Sequence, residues 1–83
     1  MHRNVIRRYV VENFLLGHDG GLSDEASLLD AGVIDSTGVL QLVAFIEERF
    51  GIEVADEDLV PANLDSIANI ARFVAQRAAV QAA

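Results

Sequence analysis

The 83-residue sequence contains no cysteine, no tryptophan and no lysine, and its only proline is Pro61. The absence of cysteine excludes disulfides, thiolate metal sites and cysteine nucleophiles, so any thiol chemistry requires an added group. The sequence also lacks an apolar run of about 20 residues, the length that a membrane-spanning helix needs. It does contain abundant aliphatic residues, enough for one small core. We therefore expect a single cytoplasmic domain over residues 1–83, with an ordered core over about residues 3–77.

Positive charge is scarce as well, because six arginines stand against thirteen acidic residues and the net charge is −7 at pH 7. The imbalance is concentrated between residues 17 and 65, where twelve acids are accompanied only by Arg49. A field of this sign repels nucleic acid and steers basic protein partners toward the surface. A solvated acidic surface that keeps a small protein in solution is the alternative interpretation. We expect a monomer that does not bind nucleic acid.

Apolar residues recur at helical spacing in the first part of the chain. The pattern is formed by Val5, Ile6, Tyr9, Val10 and Phe14. It predicts a helix over residues 2–16 that Gly17 ends. Residues 17–35 then form a connection of a length that is uncommon in compact domains and usually functional. We expect its apolar residues to pin it across the molecule, with a short turn near Ser27–Leu29.

The second half of the chain predicts more helix. One helix is expected over Ser36–Phe50, where Gly51 ends it. A short helical turn over Asp56–Leu59 is expected to break before Pro61. The last helix is predicted to follow a cap at Asn63 or Asp65. The fold class is therefore all-α, a small four-helix bundle of three longer helices and one short helix with a long first loop.

Ser36 stands where the first loop gives way to the second apolar helical pattern. A helix N-terminus presents unpaired backbone N–H groups and the positive end of the helix dipole, so it accommodates an anionic group such as a phosphate ester. The alternative is that Asp35 or Ser36 only caps the helix. The two residues by themselves leave both interpretations open.

Catalytic and metal-binding groups are few. A serine nucleophile needs a general base within hydrogen-bonding reach, and the histidines, His2 and His18, lie at the start and in the first loop, where we expect both to be exposed to solvent. The stretch that begins at Asp56 has the length of a calcium loop. It carries Pro61 and Ile67 where that loop requires glycine and glutamate. We predict no catalytic residue, no metal site and no enzymatic activity.

Two motifs flank the start of the second helix. The run Ser27–Ser36 reads SLLDAGVIDS, and the end of the helix, Ile46–Ile52, reads IEERFGI. Together they resemble the acyl carrier protein family, and the resemblance extends through Asp56–Leu59 to the start of the last helix at Ser66. It implies a carrier whose 4′-phosphopantetheine arm, covalently attached and derived from coenzyme A, holds acyl or aminoacyl groups as thioesters. Such a division of labour suits a chain without cysteine or a catalytic base, because the carried group supplies the chemistry.

The resemblance also implies roles for individual residues. It makes Ser36 the attachment point, with Asp35 and Thr37 as the flanking attachment motif. The candidates for an apolar acyl cleft are Val39, Leu40, Ile46, Val54 and Leu59. The acidic candidates for partner binding are Glu47, Glu48, Glu53, Asp56, Glu57 and Asp58. The implied partners are a phosphopantetheinyl transferase, a ligase that loads the acyl or aminoacyl group, and downstream acyl-processing enzymes of fatty-acid, polyketide or other secondary-metabolite biosynthesis.

The sequence departs from this family pattern beside the serine. Many carriers of fatty-acid synthesis have acids at the positions of Gly38 and Gln41 and a large aliphatic residue in place of Thr37, so a different partner set is expected. Residues 60–64 and the pair before Asp35 resemble discrete aminoacyl or peptidyl carriers, which makes a nonribosomal-peptide-like pathway one alternative. The alternative from another class is an acidic helical interaction module without a prosthetic group, which would bind a basic partner through residues 47–58.

Overall fold

The structure is a computed structural model that describes residues 2–17 and 21–82. The helices are α1 (His2–Phe14), α2 (Ser36–Phe50), α3 (Pro61–Leu64) and α4 (Ile67–Ala82), with a 3₁₀ turn at Asp56–Asp58. The described residues contain no strand. The predicted all-α bundle is confirmed, and α2 has the predicted bounds. His18 lies outside the described residues.

The core forms where the apolar faces of the three long helices meet. Ile6 and Val10 of α1, Leu42 and Ile46 of α2, and Ile67, Ile70 and Val74 of α4 are fully enclosed. The first loop adds Leu28 and Ile34, which are 1% and 4% exposed. Because these two residues are buried, the loop is fixed to the bundle on both sides of its turn.

The first helix ends two residues before the predicted boundary. The backbone N–H of Gly17 donates to the carbonyl of Val11 at 2.9 Å, and Leu16 and Gly17 both have positive φ, 55° and 86°. This left-handed turn satisfies a carbonyl of the last helical turn. Gly17 therefore ends the helix, as predicted, but two residues, Leu15 and Leu16, separate it from the last helical residue, Phe14.

The region before α4 differs from the sequence expectation. The predicted turn forms as the 3₁₀ turn Asp56–Asp58 and ends before Pro61, as expected. Pro61 then begins an additional short helix, α3, that was not predicted, because the first position of a helix does not need a backbone N–H. The cap of α4 is neither Asn63 nor Asp65. Ser66 takes this role, since its Oγ accepts a hydrogen bond from the backbone N–H of Asn69 at 3.0 Å.

His2 also differs from its expected exposure to solvent. Its side chain is half-buried, and its ring meets the ring of Phe50 edge-on, with 5.0 Å between the centroids. The contact places this histidine at the C-terminal end of α2, the end opposite Ser36.

Candidate functional site

Asp35 caps α2, and Ser36 is the first residue of the helix. The backbone of Asp35 is extended, and its Oδ1 accepts a hydrogen bond from the backbone N–H of Gly38 at 2.7 Å. The carbonyl of Asp35 accepts from the N–H of Val39 at 3.0 Å. Ser36 is exposed, and its hydroxyl has no hydrogen-bond partner among residues 2–17 and 21–82. Of the two possible caps, Asp35 is the one observed.

The electrostatics at Ser36 suit a phosphate ester. The N–H groups of Gly38 and Val39 are used by Asp35, whereas those of Ser36 and Thr37 remain at the open end of the helix. The first turn of α2 holds no acidic side chain, and Thr37 is exposed. A phosphate on the Ser36 hydroxyl would therefore lie at the positive end of the helix dipole, in solvent and without steric obstruction.

The loop before Ser36 is held in place by Asp65. Its Oδ2 accepts a hydrogen bond from the Ser27 hydroxyl at 2.5 Å, and its Oδ1 accepts from the N–H of Leu29 at 2.9 Å. The carbonyl of Asp65 accepts from the N–H of Leu28 at 2.6 Å. These three bonds join residues nearly 40 positions apart and fix the turn from which the chain reaches Asp35.

Gly38 allows α1 and the loop to pack closely against the first turn of α2. A Cβ at this position would lie 3.1 Å from Cγ2 of Ile34 and 3.1 Å from Cε1 of Phe14. Gly38 is buried, so this position does not belong to the exposed face of α2. Close packing thus explains why position 38 has glycine and not the acid of many fatty-acid carriers. Gln41 is exposed, so the lack of an acid at this position does make the surface less negative than in those carriers.

Comparison with known proteins identifies this arrangement. Residues 6–74 match the family described as the phosphopantetheine attachment site. The chain belongs to this family. It is also similar to the Probable acyl carrier protein PigG of Serratia sp. (strain ATCC 39006), at 23% identity over 66 residues that cover 80% of this chain and 76% of PigG. The resemblance to acyl carrier proteins is thereby confirmed, and 4′-phosphopantetheine is the prosthetic group of this carrier protein.

The carrier protein has a shallow apolar cleft one turn beyond Ser36. The cleft measures about 90 Å³, and its walls include Val39, Leu59, Leu29 and Leu64. Two of the five predicted cleft residues, Val39 and Leu59, lie there. Leu29 was missed by the sequence reasoning, because it comes from a loop whose path only the bonds to Asp65 reveal.

The other three predicted cleft residues lie elsewhere on the carrier. Ile46 is fully enclosed in the core, and Leu40 is 62% exposed on the outer face of α2. Val54 is half-buried after the end of α2. Helical periodicity places Leu40 and Ile46 on α2, but it does not specify whether each side chain faces the core, the cleft or the solvent.

The six predicted partner-binding acids divide into two groups. Glu47 and Asp58 hold the backbone: Glu47 Oε2 accepts from the N–H of Val54 at 3.0 Å, and Asp58 Oδ2 accepts from the N–H of Ala55 at 3.0 Å. Asp58 Oδ2 also accepts from the Arg77 guanidinium at 2.6 Å. The exposed acids are Glu48, Glu53, Asp56 and Glu57.

Two further observations concern metal ions and membranes. The residues that the structure describes contain no group of three or more histidine or acidic side chains placed to hold a metal ion. None of the helices in the same ranges is long and apolar enough to cross a membrane.

Proposed function

We propose that Ser36 is the residue to which 4′-phosphopantetheine is attached, and that the protein carries acyl or aminoacyl thioesters to partner biosynthetic enzymes. The observation that carries this proposal is the division of roles at the start of α2. Asp35 caps the helix, which leaves the Ser36 hydroxyl exposed and unbonded among the described residues. A side chain placed there contributes nothing to the cap and is open to a modifying enzyme.

Attachment replaces one phosphate bond by another. The Ser36 Oγ forms a bond to the phosphorus that bears the pantetheine of coenzyme A, the phosphoanhydride bond to the nucleotide breaks, and the nucleotide part leaves. When attached, the arm supplies the thiol that carries the cargo. The hydroxyl proton must pass to a base, because serine is a weak nucleophile at its free pKa.

That base belongs to the transferase in this proposal. Of the two histidines, His2 lies within the described residues. It packs against Phe50 at the far end of α2. A helix of 15 residues is about 20 Å long at 1.5 Å per residue, so His2 is out of reach of Ser36. We therefore assign the proton transfer to the transferase, which makes the protein a non-catalytic substrate of that enzyme and a non-catalytic carrier afterwards.

The size of the cleft supports a small cargo. A volume of about 90 Å³ is well below the roughly 300–1,000 Å³ of pockets that enclose drug-sized ligands, so a long acyl chain does not fit inside it. A short acyl or aminoacyl group, or the end of the arm, does. This favours a discrete carrier of specialised metabolism with a short cargo. The name of the similar protein supports the coarser role of an acyl carrier.

The exposed acids support docking to basic surfaces of partner enzymes. Glu48, Asp56 and Glu57 project into solvent near the end of α2 and the 3₁₀ turn, where they are available to arginine or lysine side chains. We place the transferase, the loading ligase and the downstream enzymes among these partners. We also place the carrier in the cytoplasm as a monomer, with residues 1–83 forming one domain.

Attachment can be tested by mass spectrometry. The purified chain is incubated with coenzyme A, Mg²⁺ and a broad-specificity phosphopantetheinyl transferase, with a known carrier in parallel, and the modified residue is located by fragmentation. We expect one phosphopantetheine on Ser36, none on Ser36→Ala, and unchanged modification of Thr37→Val, which removes the neighbouring hydroxyl. An unmodified chain beside a modified control would refute the proposal and favour an interaction module without a prosthetic group.

A further inference from the structure

A groove between α1 and α2 has features that the carrier function does not use. Its volume is about 330 Å³, and it is lined by residues that include Arg8, Tyr9, Glu12, Phe45 and Arg49. It is thus much larger than the cleft beside Ser36. Its lining comes from α1 and α2, and its aromatic residues, Tyr9 and Phe45, pack against the enclosed core on their inner side.

The floor of this groove is a rigid pair of aromatic rings. The rings of Tyr9 and Phe45 are stacked, with centroids 3.9 Å apart and planes inclined by 13°. The Tyr9 hydroxyl donates to the carbonyl of Gln41 at 3.2 Å, and burial raises the pKa of Tyr9. Both side chains are half-buried, so one surface of the pair remains open. Rigid aromatic side chains of this kind are enriched at the centres of protein interfaces.

Two arginines flank the rings without an acidic partner. Arg3 and Arg7 pair with Asp24, and Arg77 pairs with Asp58. In contrast, Arg8 and Arg49 are exposed and have no ion pair in the part of the chain that the structure describes.

The guanidinium of Arg49 lies over the ring of Phe50, 5.6 Å from its centroid. Glu12, one helical turn after Arg8 on α1, is the acidic residue among those that line the groove. The groove therefore has an excess of positive charge on a protein whose net charge is −7.

We propose that this groove binds an acidic peptide segment of a partner protein, with an apolar side chain on the Tyr9–Phe45 rings and carboxylates on Arg8 and Arg49. Arginine pairs with carboxylates through two parallel hydrogen bonds, which gives such a contact both strength and orientation. Nucleic acid, whose charge would extend over the surrounding acidic surface, is disfavoured by the net charge of −7. A short peptide meets mainly the charges of the groove itself, because exposed charges are largely screened beyond about 10 Å at about 0.1 M salt. A symmetric dimer through this face is also disfavoured, because it would bring the same arginines of two copies together.

The position of the groove suggests its use. Phe45 and Arg49 lie nine and thirteen residues after Ser36 on the same helix, which corresponds to about 13–20 Å at 1.5 Å per residue. A segment bound in the groove therefore leaves the start of α2 free. Binding of this kind would tether the carrier to a partner and raise the effective concentration of its cargo there.

The test uses the whole, unmodified chain, so that its result does not depend on attachment at Ser36. A library of random peptides displayed on phage is selected against the protein. The selected peptides are synthesised and titrated against ¹⁵N-labelled protein. We expect aspartate and glutamate beside an apolar residue, and amide shifts centred on Val5, Tyr9 and Phe45.

The variants decide between specific and unspecific binding. Replacement of both arginines, Arg8→Gln with Arg49→Gln, should weaken binding at least about tenfold, the loss typical of an important interface residue. The control, Arg3→Gln with Arg72→Gln, also removes two positive charges, from exposed arginines that do not line the groove, and should change affinity less than about twofold. The proposal is overturned if no peptide is selected, if the selected peptides are not acidic, or if the double variant binds them equally well.

Sedimentation of the protein alone tests whether the groove is instead occupied by a second copy of the chain. We expect a monomer at all concentrations. A dimer that the double variant abolishes would assign the groove to self-association and overturn the proposal.

Discussion

The backbone N–H of Gly38 donates a hydrogen bond to Oδ1 of Asp35 at 2.7 Å. This bond lets Asp35 cap α2 and leaves the next residue, Ser36, without a structural role at the helix start. Stability and modification therefore depend on different, adjacent side chains. The two effects can be separated by mutation.

Asp35→Ala should destabilise the protein, and Ser36→Ala should not. Loss of an N-cap side chain costs about 1 kcal/mol, whereas an exposed substitution without a lost contact changes the free energy of unfolding by less than about 0.5 kcal/mol. Asp35→Asn, which keeps a capping oxygen, should retain most of the stability. Urea denaturation measures all three. Equal losses for Asp35→Ala and Ser36→Ala would show that Ser36 also supports the helix.

Gly38→Glu should destabilise the protein far more than Gln41→Glu, although both introduce an acid beside the serine. At position 38 the new side chain meets Ile34 and Phe14 and carries a charge into a buried region, which we expect to cost about 2 kcal/mol or more. At the exposed position 41 the cost should be below about 0.5 kcal/mol. Thermal and urea unfolding provide the comparison, and similar losses would contradict the close packing around Gly38.

Asp65→Ala should loosen the loop that leads to Ser36. The carboxylate accepts hydrogen bonds from Ser27 and from the N–H of Leu29, and bonds to a charged group contribute about 1.5–3 kcal/mol. Hydrogen exchange at the Leu29 amide should accelerate. Asp30→Ala, an exposed change in the same loop, serves as the control. Unchanged exchange at Leu29 in Asp65→Ala would refute the role of Asp65.

Acid should weaken the contact between α1 and the first loop. The hydrogen bond from Arg7, followed by the charge of Arg7 and the contact with Arg3, holds the pKa of Asp24 below its usual range. A lowered pKa in the folded state means that Asp24 stabilises the protein above its unfolded pKa of about 4. This stabilisation is lost as the pH falls through the folded value. Asp24→Asn should therefore flatten the dependence of the free energy of unfolding on pH below about pH 4. An Asp24→Asn variant with the same pH dependence as the unchanged protein would contradict this role of Asp24.

Neutralising Asp58 should affect stability, and neutralising Glu57 should not. Asp58 binds Arg77 and the N–H of Ala55, and its side chain is only 14% exposed. Asp58→Asn should cost about 1 kcal/mol, measured by urea denaturation. Glu57→Gln, on the exposed side of the same turn, should cost less than about 0.5 kcal/mol. Equal stability of the two variants would contradict a structural role for Asp58 and leave partner binding as its proposed role.

Much of this protein was predictable because its signals are local. The period of the apolar residues and the glycine after Phe50 define α2, and the motif around Ser36 belongs to a contiguous run of sequence. The absence of cysteine and the placement of the histidines in the sequence likewise favoured a carrier over an enzyme. The sequence did not predict the short helix α3, which begins at Pro61, or the cap of α4, which is Ser66.

The remaining features depend on contacts between distant residues. The sequence alone determined the long helices, the family and the candidate attachment residue, because periodicity, end signals and motif are all read along the chain. Only the tertiary structure decided that Asp65 serves the first loop, that Glu47 and Asp58 hold backbone groups, and that Gly38 lies under Phe14. The physical reason is that a polar or small side chain takes its role from the partner that folding brings beside it, and linear spacing does not specify that partner.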